Sequence, residues 1–85
     1  MERVIVSIEY LNALNKLTPR ECEILEYVYR GCTSREIGEK LYLSSGTVSN
    51  HRQSICDKLN INGYRGLYKW CAINRTRKQY TLKQY

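Results

Sequence analysis

Phenylalanine is absent from the 85 residues, and proline, methionine, tryptophan and histidine occur once each. No apolar run approaches the ~18 residues a membrane span needs. The candidate Arg3-Val4-Ile5-Val6-Ser7-Ile8 is closed by Glu9 and fits neither a span nor a signal peptide. These absences set a cytoplasmic expectation with no membrane partner. A lone histidine, His51, leaves no acid–base–nucleophile set. A chain this short buries only about 60% of its unfolded surface, so a deep substrate cavity is not expected and the chain is read as non-enzymatic. Cys22, Cys32, Cys56 and Cys71 contain no C-x-x-C pair and make no metal-ligand spacing with one histidine. No metal and no cofactor are therefore expected. Without an export signal the cysteines read as reduced, half-buried small hydrophobes. With phenylalanine missing, the eight tyrosines take its place in the core rather than forming a stacking platform for single strands.

Negative charge is scarce in one half of the chain. Residues 1–43 carry six Lys/Arg against seven Glu, whereas residues 44–85 carry eight Lys/Arg against Asp57 alone. All of the net charge of +6 therefore arises in the second half. That distribution suits a polyanionic partner contacting one end of the chain; a basic solvated surface is the plainer alternative.

Three helix starts are legible. Thr18-Pro19-Arg20-Glu21 combines a capping threonine, proline at the first helical position and an acid three residues after the cap. Ile24, Leu25 and Val28 continue it as a stripe, and Gly31 ends it, predicting a helix over 19–30. Thr33 and Glu36 repeat the box ahead of Ile37 and Leu41, predicting a helix over 34–41. Gly38 in its interior costs roughly 1 kcal/mol against alanine, which implies close approach of another helix. Ser44 caps a third helix over 45–59, with Val48, Ile55 and Leu59 on one side and His51 and Arg52 between them. Asn60-Ile61-Asn62-Gly63 breaks the pattern. A fourth helix over 64–75 places Leu67, Trp70, Cys71 and Asn74 on one face. Residues 1–16 alternate like a strand at Val4, Val6 and Ile8 but also fit a helical stripe. A lone strand lacks a partner in a helical chain, so a short helical N-terminal segment is expected. The basic tail 76–85 extends the last helix or frays.

Two short helices joined by a few residues form a helix-turn-helix. In Leu43-Ser44-Ser45-Gly46-Thr47-Val48-Ser49-Asn50-His51-Arg52 the inward residue is Val48. Ser45, Gly46, Thr47, Ser49, Asn50 and Gln53 then project outward, and amides and hydroxyls suit base edges in a DNA major groove. Arg52, Lys58, Arg65 and Lys69 supply sequence-independent attraction. Trp70, three residues after Leu67, reads as core or subunit surface rather than a base-stacking ring.

Residues 17–71 resemble the LuxR/GerE-type DNA-binding domain. The resemblance rests on L-T-x-R-E, then I-L, then G-x-T/S-x-x-E-I, then L-x-x-S-x-x-T-V-x-x-H, then I-x-x-K-L, in order and correctly spaced over some 55 residues. It implies an all-α, four-helix helix-turn-helix bundle at 17–75, flanked by the 1–16 segment and the 76–85 tail. It also implies a bacterial, nucleoid-associated transcription regulator whose partner is double-stranded DNA. Carried over by position, the resemblance implies base reading by Ser49, Asn50 and Gln53. It places phosphate contacts at Thr33, Ser34, Ser45, Gly46, Thr47, His51 and Lys58, with Arg52 and Arg65 added from their charge. The fourth helix of the family often pairs subunits, which implies a homodimer through Leu67, Trp70, Cys71 and Asn74. The chain departs from the family pattern at Ser49, where lysine is frequent, at Gly38, where alanine is usual, and at Gly63 and Gly66, where serine and glutamate are usual. RNA polymerase or a separate regulatory chain are further expected partners. A sigma-factor-type promoter-recognition module and a protein-interaction module with weakened DNA binding are the competing readings.

Overall fold

Four hydroxyl side chains start four helices. A computed structural model describes residues 3–76 and 80–84, so the parts of the expected N-terminal segment and tail at 1–2, 77–79 and 85 lie outside the described residues. The order is β1 (Arg3–Val6), α1 (Ile8–Leu14), α2 (Pro19–Tyr29), α3 (Ser34–Leu41), α4 (Ser45–Leu59), α5 (Gly63–Thr76) and β2 (Tyr80–Gln84). Ser7 Oγ accepts from Tyr10 N at 3.0 Å and caps α1. Thr18 Oγ1 accepts from Glu21 N at 3.2 Å while Glu21 Oε1 accepts from Thr18 N at 2.9 Å. Thr33 and Glu36 repeat that reciprocal pair at 3.2 and 2.8 Å. Ser44 Oγ accepts from Thr47 N at 3.1 Å and starts α4. Losing a cap of this kind typically costs about 1 kcal/mol.

The helix stripes meet in one core. Ile24, Leu25 and Val28 of α2, Ile37 of α3, Val48, Ile55 and Cys56 of α4, and Leu67 and Cys71 of α5 are all fully buried. Each large aliphatic side chain contributes about 1.5–3 kcal/mol by leaving water. The helix-turn-helix bundle expected from the sequence is therefore present, with α3 and α4 as its pair. No helix among the described residues is long and apolar enough to cross a membrane.

The N-terminal expectation is corrected in part. Residues 8–14 are helical, but residues 3–6 form a strand, because the other end of the chain supplies the missing partner. β1 and β2 pair antiparallel, Arg3 opposite Gln84 and Val6 opposite Tyr80. The register shifts between Val4, opposite Lys83, and Ile5, opposite Thr81. Leu82 is thus the extra residue of a bulge. The tail segment 80–84 accordingly neither extends the last helix nor frays.

α1 is held to α5 through a buried polar group. Ser7 Oγ donates to Asn74 Oδ1, and Asn74 Nδ2 donates to Glu9 Oε2 at 3.0 Å and to the Trp70 carbonyl at 2.9 Å. Tyr10 lies between the Tyr29 ring, 4.6 Å away between centroids, and the Trp70 ring, 6.1 Å away. Gly38 is buried, and a Cβ built on it would stand 2.5 Å from the carbonyl oxygen of Leu43. The close neighbour is thus the backbone of the turn, not the neighbouring helix that the sequence suggested.

Candidate nucleic-acid interface

α4 has two chemically different sides. Val48, Arg52, Ile55 and Cys56 are buried, while Ser45, Gly46, Thr47, Asn50 and Gln53 are exposed and Ser49 and His51 are half-buried. The spacing of the buried positions, at four- and three-residue steps, fixes the rotation of the helix about its axis. That rotation turns an uncharged polar surface outward over the first two turns. The Ser44 cap also donates its hydroxyl to Thr47 Oγ1 at 2.9 Å. The first backbone N–H groups of a helix lack intrahelical acceptors, so this end presents donors beside small side chains.

The three expected base readers occupy this outer region unequally. Asn50 is exposed. Gln53 is exposed and donates one Nε2 hydrogen to Asp57 Oδ1 at 3.0 Å; the amide carries a second Nε2 hydrogen that this bond does not use. Ser49 is half-buried.

The expected phosphate contacts divide into surface and interior groups. Ser45, Gly46 and Thr47 share the start of α4, and Thr33 stands exposed at the start of α3 with its N–H and hydroxyl engaged by Glu36. Arg65 is exposed on α5. Lys58 lies nine residues beyond Ser49, about 14 Å along the helix axis, and its Nζ donates to Glu21 Oε1 at 2.7 Å. Glu21 also accepts from Ser54 Oγ at 2.7 Å. Burial of Glu21 opposes its ionisation, but the hydrogen bonds from Lys58, the Thr18 backbone and Ser54 outweigh it and hold the carboxyl down at about 2.

Arg52 is a correction. It is 1% exposed, its guanidinium carbon sits 4.6 Å from the centre of the Tyr68 ring, and its Nη1 donates to Ser34 Oγ at 3.0 Å. It joins α4 to α5 and to the first turn of α3 from inside, and its guanidinium has almost no exposed surface to offer a phosphate. Ser34, half-buried, is engaged as its acceptor. The signal was present in the sequence, since Arg52 stands four residues after Val48 and three before Ile55. Its positive charge concealed that placement.

The expected subunit face on α5 is a second correction. Leu67, Cys71 and Asn74 are fully buried within the chain itself. They pack into the core or bond α1, leaving only the half-buried Trp70 of that set with any surface. Burial also pushes the Cys71 thiol up to about 12, against smaller opposing effects of Arg75 and Arg52. All four cysteines are free thiols. Sequence reasoning missed the Glu21–Ser54–Lys58 cluster and the Ser7–Asn74–Glu9 bonds. Each joins residues more than 30 positions apart, and no local pattern marks such pairs.

Residues 15–71 match the family described as bacterial regulatory proteins, luxR family. Over 55 residues the chain is 47% identical to the transcriptional regulatory protein DegU of Brevibacillus brevis, covering 65% of this chain and 23% of that protein. It is 46% identical over 57 residues to the transcriptional regulatory protein LnrK of Bacillus subtilis, with 67% and 26% covered. To the transcriptional regulatory protein ComA of Bacillus subtilis it is 47% identical over 45 residues, with 53% and 21% covered. The chain spans about a quarter of the length of these relatives. No solved structure matches it.

Proposed function

We propose, from the fact that the chain belongs to the luxR family of bacterial regulatory proteins, that it regulates transcription by sequence-specific binding of double-stranded DNA, with the first half of α4 in the major groove. The observation that carries this reading is the exposed, uncharged start of α4 on a helix whose opposite side is locked in the core. Asn50 suits the paired acceptor and donor of adenine, and Gln53 does so with its carbonyl oxygen and second Nε2 hydrogen. Ser49 offers a short hydroxyl at the same end. Thr33, Ser34, Ser45, Gly46, Thr47 and His51 hold phosphates along the rim, and Lys58 and Arg65 add positive charge further out. Arg52 has no part in this set. The reading includes no catalytic step.

Further partners in this reading are a second copy of the chain and RNA polymerase or a separate regulatory chain. Two copies that pair through α5 do so without Leu67, Cys71 and Asn74, using its outward residues and Trp70. The family match and the relatives lend no support to the sigma-factor-type or interaction-module readings.

Selection of bound duplexes from a random pool tests the proposal. One motif should be enriched, and affinity for it should fall steeply as salt rises. Asn50→Ala and Gln53→Ala should each relax preference at one or two positions by about 1–3 kcal/mol. A pool that stays random at low salt refutes sequence-specific binding.

A further inference from the structure

Tyr42, in the turn between α3 and α4, is the residue whose presence the fold does not explain. It caps the end of α3 in the left-handed conformation, φ 58° and ψ 43°. An L-residue with a bulky side chain is disfavoured there, and glycine or asparagine is the usual occupant. The end of α4 follows that preference, with Asn60 in the same conformation at φ 61°. The tyrosine also buries nothing in return, since it is 95% exposed, against 46% for Ile8 and 40% for Ile73. A strained position filled by an aromatic residue that packs against nothing in its own chain gains from contact with something else.

The surroundings favour one class of partner. Glu39, Lys40, Ser44, Ser45, Gly46 and Thr47 are exposed and polar. An anchor for a protein partner sits at the centre of a patch that can exclude water, whereas Tyr42 stands alone among polar groups. A sugar–phosphate backbone fits this setting. Its sugars offer an apolar surface to a ring and its phosphates accept from a phenol, both beside the end of the helix that enters the groove. We propose that Tyr42 contacts the DNA backbone at the rim of the major groove, its hydroxyl donating to a phosphate oxygen and its ring covering the adjoining sugar. This rests on the DNA-binding reading above and adds to it a positioning residue that carries no charge.

The test uses the full chain and the duplex that the unmodified protein selects from a random pool. Tyr42→Gly should bind that duplex about threefold to tenfold more weakly, the loss expected for one hydrogen bond and its contact. Its urea midpoint should stay the same or rise, because glycine relieves the left-handed strain. Tyr42→Phe should fall between the two in affinity. The slope of affinity against salt should be unchanged, since a phenol displaces no counterion. Base preference should also hold, because backbone contacts carry no sequence information. Wild-type affinity in Tyr42→Gly overturns the assignment, and so does an affinity loss matched by a lower urea midpoint. Unaltered DNA affinity with lost transcription in a purified polymerase assay assigns the residue to a protein contact instead and equally overturns it. If the unmodified chain enriches no duplex at all, the DNA-binding reading fails first. Normal enrichment with an unaffected Tyr42→Gly removes only the Tyr42 assignment.

Discussion

Replacing Arg52 distinguishes an interior tie from a phosphate contact, and the ranking of substitutes carries the information. A buried guanidinium 4.6 Å from the centre of the half-buried Tyr68 ring gains about 1–2 kcal/mol from the ring. Its hydrogen bond to Ser34 adds about 1.5–3 kcal/mol for a charged donor. Against these stands the several kcal/mol needed to remove the charge from water. Methionine retains much of the stem and removes that penalty together with both attractions, so Arg52→Met should cost only about 1 kcal/mol. Lysine keeps a charge that is more strongly hydrated and cannot stack as a plane, so Arg52→Lys should cost about 3 kcal/mol. Arg52→Ala should cost about as much by leaving a cavity. Chains of this size are stable by only about 4–13 kcal/mol. With a urea slope of about 1 kcal/mol/M, the expected midpoint shifts are about 1 M for methionine and 3 M for lysine. Fluorescence of Trp70, the only tryptophan, reports the transition. Folded Arg52→Met should keep the salt dependence of DNA binding. If lysine preserves the midpoint and methionine lowers the salt slope by about 0.9, Arg52 faces phosphate and the argument fails.

Two other perturbations test separate parts of the structure. Glu21 has a carboxyl held down at about 2, so its stabilising contribution is complete above the ordinary carboxylate range and is lost as pH falls from about 5 toward 2. Allowing for partial exposure of Lys58, that contribution is about 2 kcal/mol. Glu21→Gln should therefore lower the urea midpoint at pH 7 and flatten its decline in acid. An equally steep acid decline in the variant would place the titrating group elsewhere. Gly38→Val should destabilise by about 2 kcal/mol or more, because the added Cβ would meet the Leu43 carbonyl oxygen at 2.5 Å. Gly66→Ala should destabilise less than Gly38→Val, since its Cβ meets the Ile61 Cγ2 methyl at 2.9 Å, a side-chain branch that must shift but is not backbone, and alanine gains up to about 1 kcal/mol of helix propensity against that cost. Thermal melting of the two variants gives the comparison, and equal shifts would contradict it.

What could be read from the sequence follows the range of the forces involved. Capping boxes act over three residues and stripes over one helix. Thr18 with Glu21, Thr33 with Glu36, and Ser44 therefore marked their starts to the residue, and Val48 with Ile55 fixed the rotation of α4. The β1–β2 pair was illegible for the opposite reason. Val4 and Val6 carried the alternation of a strand, but the chain that completes it begins at Tyr80, across the whole bundle. Likewise Asn74 looked like part of an apolar face, and only Ser7 and Glu9, more than 60 positions away, reveal it as the acceptor and donor that hold α1.

The misplacement of Arg52 has a physical lesson for the site. Charge is a poor sign of exposure on α4, where the buried side contains the arginine and the exposed start is uncharged. An interior cation tied to Ser34 and Tyr68 links three helices at the level where the side chains of α4 emerge. It steadies the exposed start of α4 from inside. In the proposed DNA-binding reading, long-range attraction comes from groups off this surface, such as Arg65 and Lys69 on α5, both exposed. In that reading, replacing Arg65 or Lys69 on α5 should change the salt dependence of binding without changing base preference, whereas replacing Asn50 or Gln53 on α4 should do the reverse.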